Sequence, residues 1–109
     1  MRWKIEYYSE KTRAEIDSLP VGIRVSYARL TGLLEEFGLF FQLPHSRPMG
    51  GGLFELRPKG REGIARVFYC AMVGGKIVIL HSFVKKTGKT PKRELELAIA
   101  RLKEVRKYG

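Results

Sequence analysis

The sequence predicts an α+β fold: a small, mainly antiparallel sheet with an N-terminal helical hairpin and a C-terminal helix, in the order β-α-α-β-β-β-α. Two observations support this prediction. Apolar side chains recur at helical spacing before Gly38 and after Pro91, and extended, apolar-rich segments follow one another between positions 53 and 83. With 109 residues the chain is long enough for one core and too short for two, so we expect a single domain over residues 1–109.

The first part of the chain is predicted to be a strand followed by two helices. Trp3–Tyr7 alternates apolar and polar residues, which indicates a strand, and Ser9 can cap a short helix that runs to about Leu19. Pro20 suits the first turn of a second helix, which Gly38 closes as a C-terminal cap. The apolar stripe of this helix consists of Ile23, Tyr27, Leu30 and Leu34. Because the two helices meet at a proline, we expect them to form a hairpin.

The second part of the chain is predicted to be a loop, three strands and a helix. Residues 39–52 are rich in Pro and Gly, which is typical of a loop. Gly74 and Gly75 favour a tight hairpin turn between the last two strands, and Thr90 as N-cap with Pro91 in the first turn opens the final helix. The three strands are predicted at Leu53–Arg57, Ala65–Met72 and Ile77–Phe83.

The positive charge of the chain is concentrated in one segment. The net charge is +10, and positions 57–93 hold ten Lys or Arg residues against a single acid, Glu62. Like charges so close together repel one another and disfavour the compact state, and a polyanionic partner is the usual compensation. We therefore expect this basic segment, residues 57–93, to bind a phosphate-rich ligand.

The composition argues against several classes of protein and site. The 44% apolar and 29% charged fractions are typical of a globular chain, and no apolar run approaches the roughly 20 residues of a membrane span. No signal peptide is recognisable, and the single cysteine, Cys70, lies in an apolar run, so we expect a cytoplasmic protein without a membrane partner. The basic segment offers no Cys/His set for zinc and no carboxylate pair for magnesium, so we expect neither a metal nor another cofactor.

Several residues of the basic segment could both bind and cut RNA. If the strands pair antiparallel, Arg57 and Arg66 lie side by side on the solvent face of the sheet, where they can bind phosphate. Arginine cannot act as a base because it keeps its proton in proteins, but lysine can when neighbouring cations lower its pKa. Lys85 and Lys86 are therefore candidates for proton transfer when the RNA 2′-hydroxyl attacks the adjacent phosphate.

His81 is a third candidate for proton transfer. Strand alternation places it on one face with Ile77, Ile79 and Phe83, so a half-buried structural histidine is the alternative interpretation. The remaining residues of the segment are expected to contact the RNA backbone or stack on a base. They are Lys59, Arg61, Phe83, Lys89, Lys92 and Arg93.

Three segments carry a family resemblance: Gly52–Arg57, Ala65–Tyr69 and Ile79–Pro91 followed by a helix. Together with the order of elements they resemble the RelE/ParE toxin superfamily, and most closely its HigB-like, phage-related toxins of type II toxin–antitoxin systems. The pattern Phe-x-Lys-Lys-Thr-x-Lys-Thr-Pro over residues 83–91 is quite specific to that branch. The resemblance implies a ribosome-dependent endoribonuclease that cuts mRNA and stops translation. It also implies a cognate antitoxin, typically a helix-turn-helix DNA-binding protein.

The resemblance matches three residues of this chain to basic residues of the family and does not identify the base. Arg57 and Arg66 match basic sheet residues of RelE-like nucleases, and Lys86 matches a basic residue just past the last strand. Where RelE has lysines, this chain has Leu53 and Glu55, and it lacks the tyrosine that RelE places after the lysine turn. The base therefore stays open among Lys85, Lys86 and His81. Two other functions remain as alternatives, a ParE-like inhibitor of DNA gyrase and a non-catalytic module that binds RNA or ribosomes.

Overall fold

The structure is a computed structural model that describes residues 2–38, 46–85 and 89–108 of the chain. Its helices are α1 (Glu10–Asp17), α2 (Val21–Phe37) and α3 (Lys92–Tyr108). Its strands are β1 (Lys4–Tyr7), β2 (Ser46–Gly50), β3 (Leu53–Leu56), β4 (Lys59–Gly60), β5 (Gly63–Met72) and β6 (Lys76–Lys85). The predicted α+β class is confirmed, and the arrangement is compatible with a RelE-like fold. None of these three helices is long and apolar enough to cross a membrane.

The sheet is mixed and is covered by helices on both faces. Its strands lie in the order β1-β6-β5-β3-β2, and the short β4 pairs with the start of β5. Among the described strands β1 and β6 pair in parallel, and the other pairs are antiparallel. Helices α1 and α2 cover one face and α3 covers the other, each over its own cluster of buried apolar side chains. Each fully buried Leu or Ile contributes roughly 1.5–3 kcal/mol, so these two clusters hold the layers together.

The helix ends follow the sequence closely. Ser9 caps α1, as predicted, because its Oγ accepts a hydrogen bond from a backbone N–H of the first turn. Gly38 closes α2 with a φ of 59°, a conformation that glycine adopts easily. At α3 the prediction is one residue off: the Pro91 carbonyl accepts the first helical hydrogen bonds, so Pro91 rather than Thr90 stands at the cap.

Two of the strands, β2 and β4, do not follow from the sequence prediction. The predicted loop is wrong for Ser46–Gly50, which pairs with β3, while residues 39–45 lie outside the described part of the chain. Pro48 does not prevent the pairing, because β2 is an edge strand and a missing N–H is tolerated at an edge. Gly51 and Gly52, with φ of 63° and 90°, form the two-residue turn into β3.

A β-bulge in β6 decides which face His81 occupies. Phe68 pairs with His81, but the next residue of β5, Tyr69, pairs with Ile79, so Leu80 is the additional residue. Leu80 and His81 therefore both lie on the α3 side of the sheet. The prediction that His81 shares a face with Ile79 is wrong, since strict alternation does not hold across a bulge.

The turn between β4 and β5 is anchored to the start of α2. Pro20 supplies no side-chain cap, and the carboxylate of Glu62 instead accepts a hydrogen bond from the Gly22 amide at 2.9 Å. This bond holds the pKa of Glu62 below its usual value. A Cβ on Gly60 would come within 2.5 Å of backbone atoms of Gly22 and Ile23, so glycine is needed for this close approach. Glu62, the one acid of the basic segment, thus stabilises a helix end.

Candidate functional site

A fully buried carboxylate lies between two arginines on the α3 face of the sheet. Glu55 of β3 is 0% exposed, and its Oε1 accepts a hydrogen bond from Arg66 Nη1 at 2.7 Å. Arg47 of β2 stands opposite Glu55 in the strand register, and its Nε lies 3.2 Å from the same oxygen. A buried carboxylate needs such partners because desolvation disfavours its charge. Arg66 is only 5% exposed, so the prediction that it points into solvent is wrong; the ion pair with Glu55 draws it inward.

This ion-paired cluster of Arg47, Glu55 and Arg66 still contains unsatisfied polar atoms. Glu55 Oε2 and Arg66 Nε are buried without a hydrogen-bond partner among the described residues. Arg47 Nε forms an ion pair with Glu55 but is not aligned for a hydrogen bond. Buried polar groups are satisfied in the great majority of cases, and the exceptions require an explanation such as a bound ligand. The cluster can therefore form further hydrogen bonds with a ligand.

Lys85, the last residue of β6, is half-exposed and lies within electrostatic range of this cluster. Desolvation lowers the pKa of its amine, and the neighbouring guanidiniums of Arg66, Arg57 and Arg47 lower it further, while Glu55 acts in the opposite direction. A larger fraction of neutral amine is available at a given pH than for an isolated lysine. Lys86, which the sequence also proposes, lies outside the described residues.

His81 is paired with an acid that the sequence analysis did not select. Its Nε2 is 2.9 Å from Oε1 of Glu94, in the first turn of α3. The imidazole is 8% exposed, and its Nδ1 is buried without a partner in the described part of the chain. The ring centroid of Phe83 lies 6.2 Å from that of His81 and 6.1 Å from that of Phe68, so Phe83 is packed into this group. The contact between His81 and Glu94 joins the start of α3 to β6, four residues before Lys85.

Arg57 and Arg66 also line a cleft of about 500 Å³ between α2 and the strands β4 and β5, here called the α2 cleft. The other lining residues are Ser26, Arg29, Leu30, Lys59 and Ile64. The lining thus contains four cationic side chains and no acid among the described residues. Arg29 is the member that the sequence analysis missed, because it lies on a helix far from the basic segment. A larger cleft of about 610 Å³ beside β1 contains three glutamates and is not suited to an anion.

Apart from Phe83, the other predicted contact residues of the described chain are exposed. Lys59 stands at the edge of the α2 cleft, and Arg61 lies in the turn beside Glu62. Lys92 and Arg93 begin α3, near Glu94, and Lys89 precedes them. The structure therefore brings Arg57, Arg66 and Lys85 within electrostatic range of one another. Within the described ranges, no group of three or more His, Cys, Asp or Glu residues is placed to hold a metal ion.

A protein-family model matches most of the chain. Residues 14–103, which include every residue of the clusters described above, match the family model for "Phage derived protein Gp49-like (DUF891)". The match covers most of the chain and both helical layers. A search of curated proteins finds none that matches the chain.

Proposed function

The chain belongs to the Gp49-like family of phage-derived proteins, a RelE-like toxin family, and from this membership we propose that it is a ribosome-dependent endoribonuclease that cuts mRNA and stops translation. The observation that carries the proposal is the convergence of Arg57, Arg66 and Lys85 around the buried carboxylate of Glu55. A cognate antitoxin, of the helix-turn-helix class that the HigB-like resemblance implies, would inhibit the protein in the cytoplasm by covering Arg57, Arg66 and Lys85.

The reaction is attack by the RNA 2′-hydroxyl on the adjacent phosphate without a metal ion. The 2′-oxygen forms a bond to phosphorus, the bond from phosphorus to the 5′-oxygen breaks, and the products are a 2′,3′-cyclic phosphate and a 5′-hydroxyl. Arg57 and Arg66 stabilise the charge that develops on the phosphoryl oxygens. Glu55 is a positioning residue, since it orients Arg66 without reaching the substrate.

Lys85 is the preferred base among the three candidates. Its lowered pKa and half-exposed position allow it to accept the proton of the 2′-hydroxyl. His81 has one nitrogen engaged with Glu94 and the other buried, which supports a structural role at the start of α3. Lys86 stays a candidate for the acid that protonates the departing 5′-oxygen.

The need for the ribosome has a physical rationale. Apart from the buried Glu55, the site consists of basic side chains, which attract phosphate but do little by themselves to hold a flexible RNA strand in the in-line geometry that attack requires. A ribosome that presents the strand already bent provides this geometry, and orientation of this kind contributes about 7–11 kcal/mol in favourable cases.

The test is primer extension on an mRNA incubated with the protein, with and without ribosomes. We expect cleavage only with ribosomes, and we expect the Lys85→Ala variant to be at least about 100-fold slower. Lys103→Ala, which removes an exposed lysine from the far part of α3, is the matched control and should cut normally. Undiminished cleavage by an Arg57→Ala/Arg66→Ala/Lys85→Ala variant would overturn the proposal. Intact mRNA with DNA damage would favour gyrase inhibition, and salt-sensitive RNA binding without product would favour a binding module.

A further inference from the structure

We propose that the α2 cleft binds one nucleotide of the RNA strand next to the scissile phosphate, with its base inside the cleft and its phosphate at the rim. This inference rests on the proposed function and deepens it, because it names a substrate subsite beside α2, next to the ion-paired cluster.

The lining of the α2 cleft fits an amphiphilic, anionic ligand. Leu30, which is almost fully buried, and Ile64 provide the apolar part of the lining, and Arg29, Arg57 and Lys59 add positive charge. A cavity of about 500 Å³ is within the usual range for small-ligand sites, which combine apolar walls with a few polar groups. A nucleotide has the matching composition: a flat base that can pack against apolar side chains or a guanidinium plane, and a phosphate that pairs with cations.

Arg66 connects this cleft to the ion-paired cluster. Its Nη1 is bonded to Glu55, yet the same side chain lines the cleft. Its Nε is a buried donor without a partner among the described residues, so a ligand that reaches it would satisfy a group that the protein leaves unsatisfied. Because one guanidinium serves both places, a nucleotide in the cleft would be a direct neighbour of the phosphate bound by the cluster.

The walls of the cleft are held in place before any ligand binds. The Oγ of Ser26 accepts a hydrogen bond from the Lys59 amide at 3.2 Å, which joins α2 to β4. The close approach of Gly60 to α2 and the bond from the Gly22 amide to Glu62 fix the adjoining turn. A site built in this way loses little conformational entropy when it binds, which favours a small ligand.

The experiment uses the intact protein without ribosomes and records amide chemical shifts during titration with adenosine 5′-monophosphate, adenosine or inorganic phosphate. We expect the monophosphate to bind more tightly than either fragment and to shift the amides of Ser26, Arg29 and Ile64. Equal affinity for inorganic phosphate, or shifts confined to the α3 face, would overturn the inference.

Three variants sharpen the test. Arg29→Gln should weaken binding of the monophosphate by about fivefold or more, because it removes both the charge and the stacking plane. Arg29→Lys keeps the charge, so it should retain phosphate binding but still weaken the monophosphate. Lys103→Gln is the charge-matched control and should bind as the parent does. Equal binding by all three variants would contradict the assignment.

The two proposals fail in different ways. If the monophosphate binds in the cleft but mRNA stays intact with ribosomes present, the nuclease proposal fails and the nucleotide subsite stands. If mRNA is cut but the monophosphate shifts no residue of the cleft, the subsite fails and the nuclease proposal stands.

Discussion

The two faces of the sheet bury different kinds of side chain. The face under α1 and α2 buries apolar residues such as Leu34, Val67 and Ile79. The face under α3 has an apolar cluster as well, but beyond it lie Glu55 and Arg66, which are nearly inaccessible. Buried ion pairs seldom add net stability, because the desolvation penalty offsets the attraction between the charges. The face under α1 and α2 therefore mainly stabilises the fold. The face under α3 also buries a charged cluster, and the desolvation of these charges reduces its contribution to stability.

The largest expected effect comes from separating the buried ion pair. Arg66→Ala leaves Glu55 with Arg47 as its partner among the described residues, and we expect the free energy of unfolding to fall by about 3–5 kcal/mol, together with loss of cleavage. Urea denaturation and primer extension measure the two effects.

The matched variant is Glu55→Met/Arg66→Met, which replaces both charges with apolar side chains of similar size. It should unfold at a urea concentration close to that of the parent while cleavage falls by about 10²–10³-fold. A double variant as unstable as Arg66→Ala would show that the ion pair itself holds the fold together, and the contrast between the faces would be lost.

A smaller effect is expected on the other face. Leu34→Ala creates a cavity under α2 and should lower the free energy of unfolding by about 2–4 kcal/mol. Cleavage per folded molecule should be unchanged at temperatures where the variant is folded. A loss of cleavage without a loss of stability would mean that the apolar face also shapes the site.

The smallest expected effect is a shift in the pH dependence of cleavage. Lys85 must be neutral to accept a proton, so the rate should rise with pH and level off above the lowered pKa of Lys85. Arg47→Gln removes one of the guanidiniums that lower this pKa, so the rising limb should move to higher pH, by less than about one unit. Single-turnover rates across the pH range measure the shift. A limb that moves to lower pH, or one that persists in Lys85→Ala, would exclude Lys85 as the base.

Local patterns in the sequence predict most of the fold but only part of the site. The helices and the strands of the central hairpin follow from periodicity, and Gly51–Gly52 carried a turn signal that the Pro content of the segment obscured. Arg57 and Arg66 could be selected as candidates because they lie in the basic segment. Arg47 and Arg29 could not be selected from the sequence. Strand register brings Arg47 to Glu55, and helix packing brings Arg29 to the α2 cleft, from parts of the chain outside the basic segment.

Glu94 and the face of His81 were missed for related reasons. Glu94 has the ordinary position of an acid in the first turn of a helix, and only the packing of α3 on β6 shows that it meets an imidazole. The bulge that turns His81 toward α3 could not be predicted, because it falls within the apolar run of β6, where no glycine or proline marks an irregularity.

That bulge also determines where the amine of Lys85 ends up. Every side chain of β6 after Leu80 points opposite to the direction that uninterrupted pleating would give it. Deleting Leu80 would remove the bulge and leave His81 opposite Phe68, so the lysine would stay on the α3 side; a register shift that keeps Leu80 but loses the bulge would instead turn Lys85 toward the α1 side. The bulge thus accommodates an additional residue in β6 and keeps the Lys85 amine on the same side of the sheet as Glu55 and Arg66.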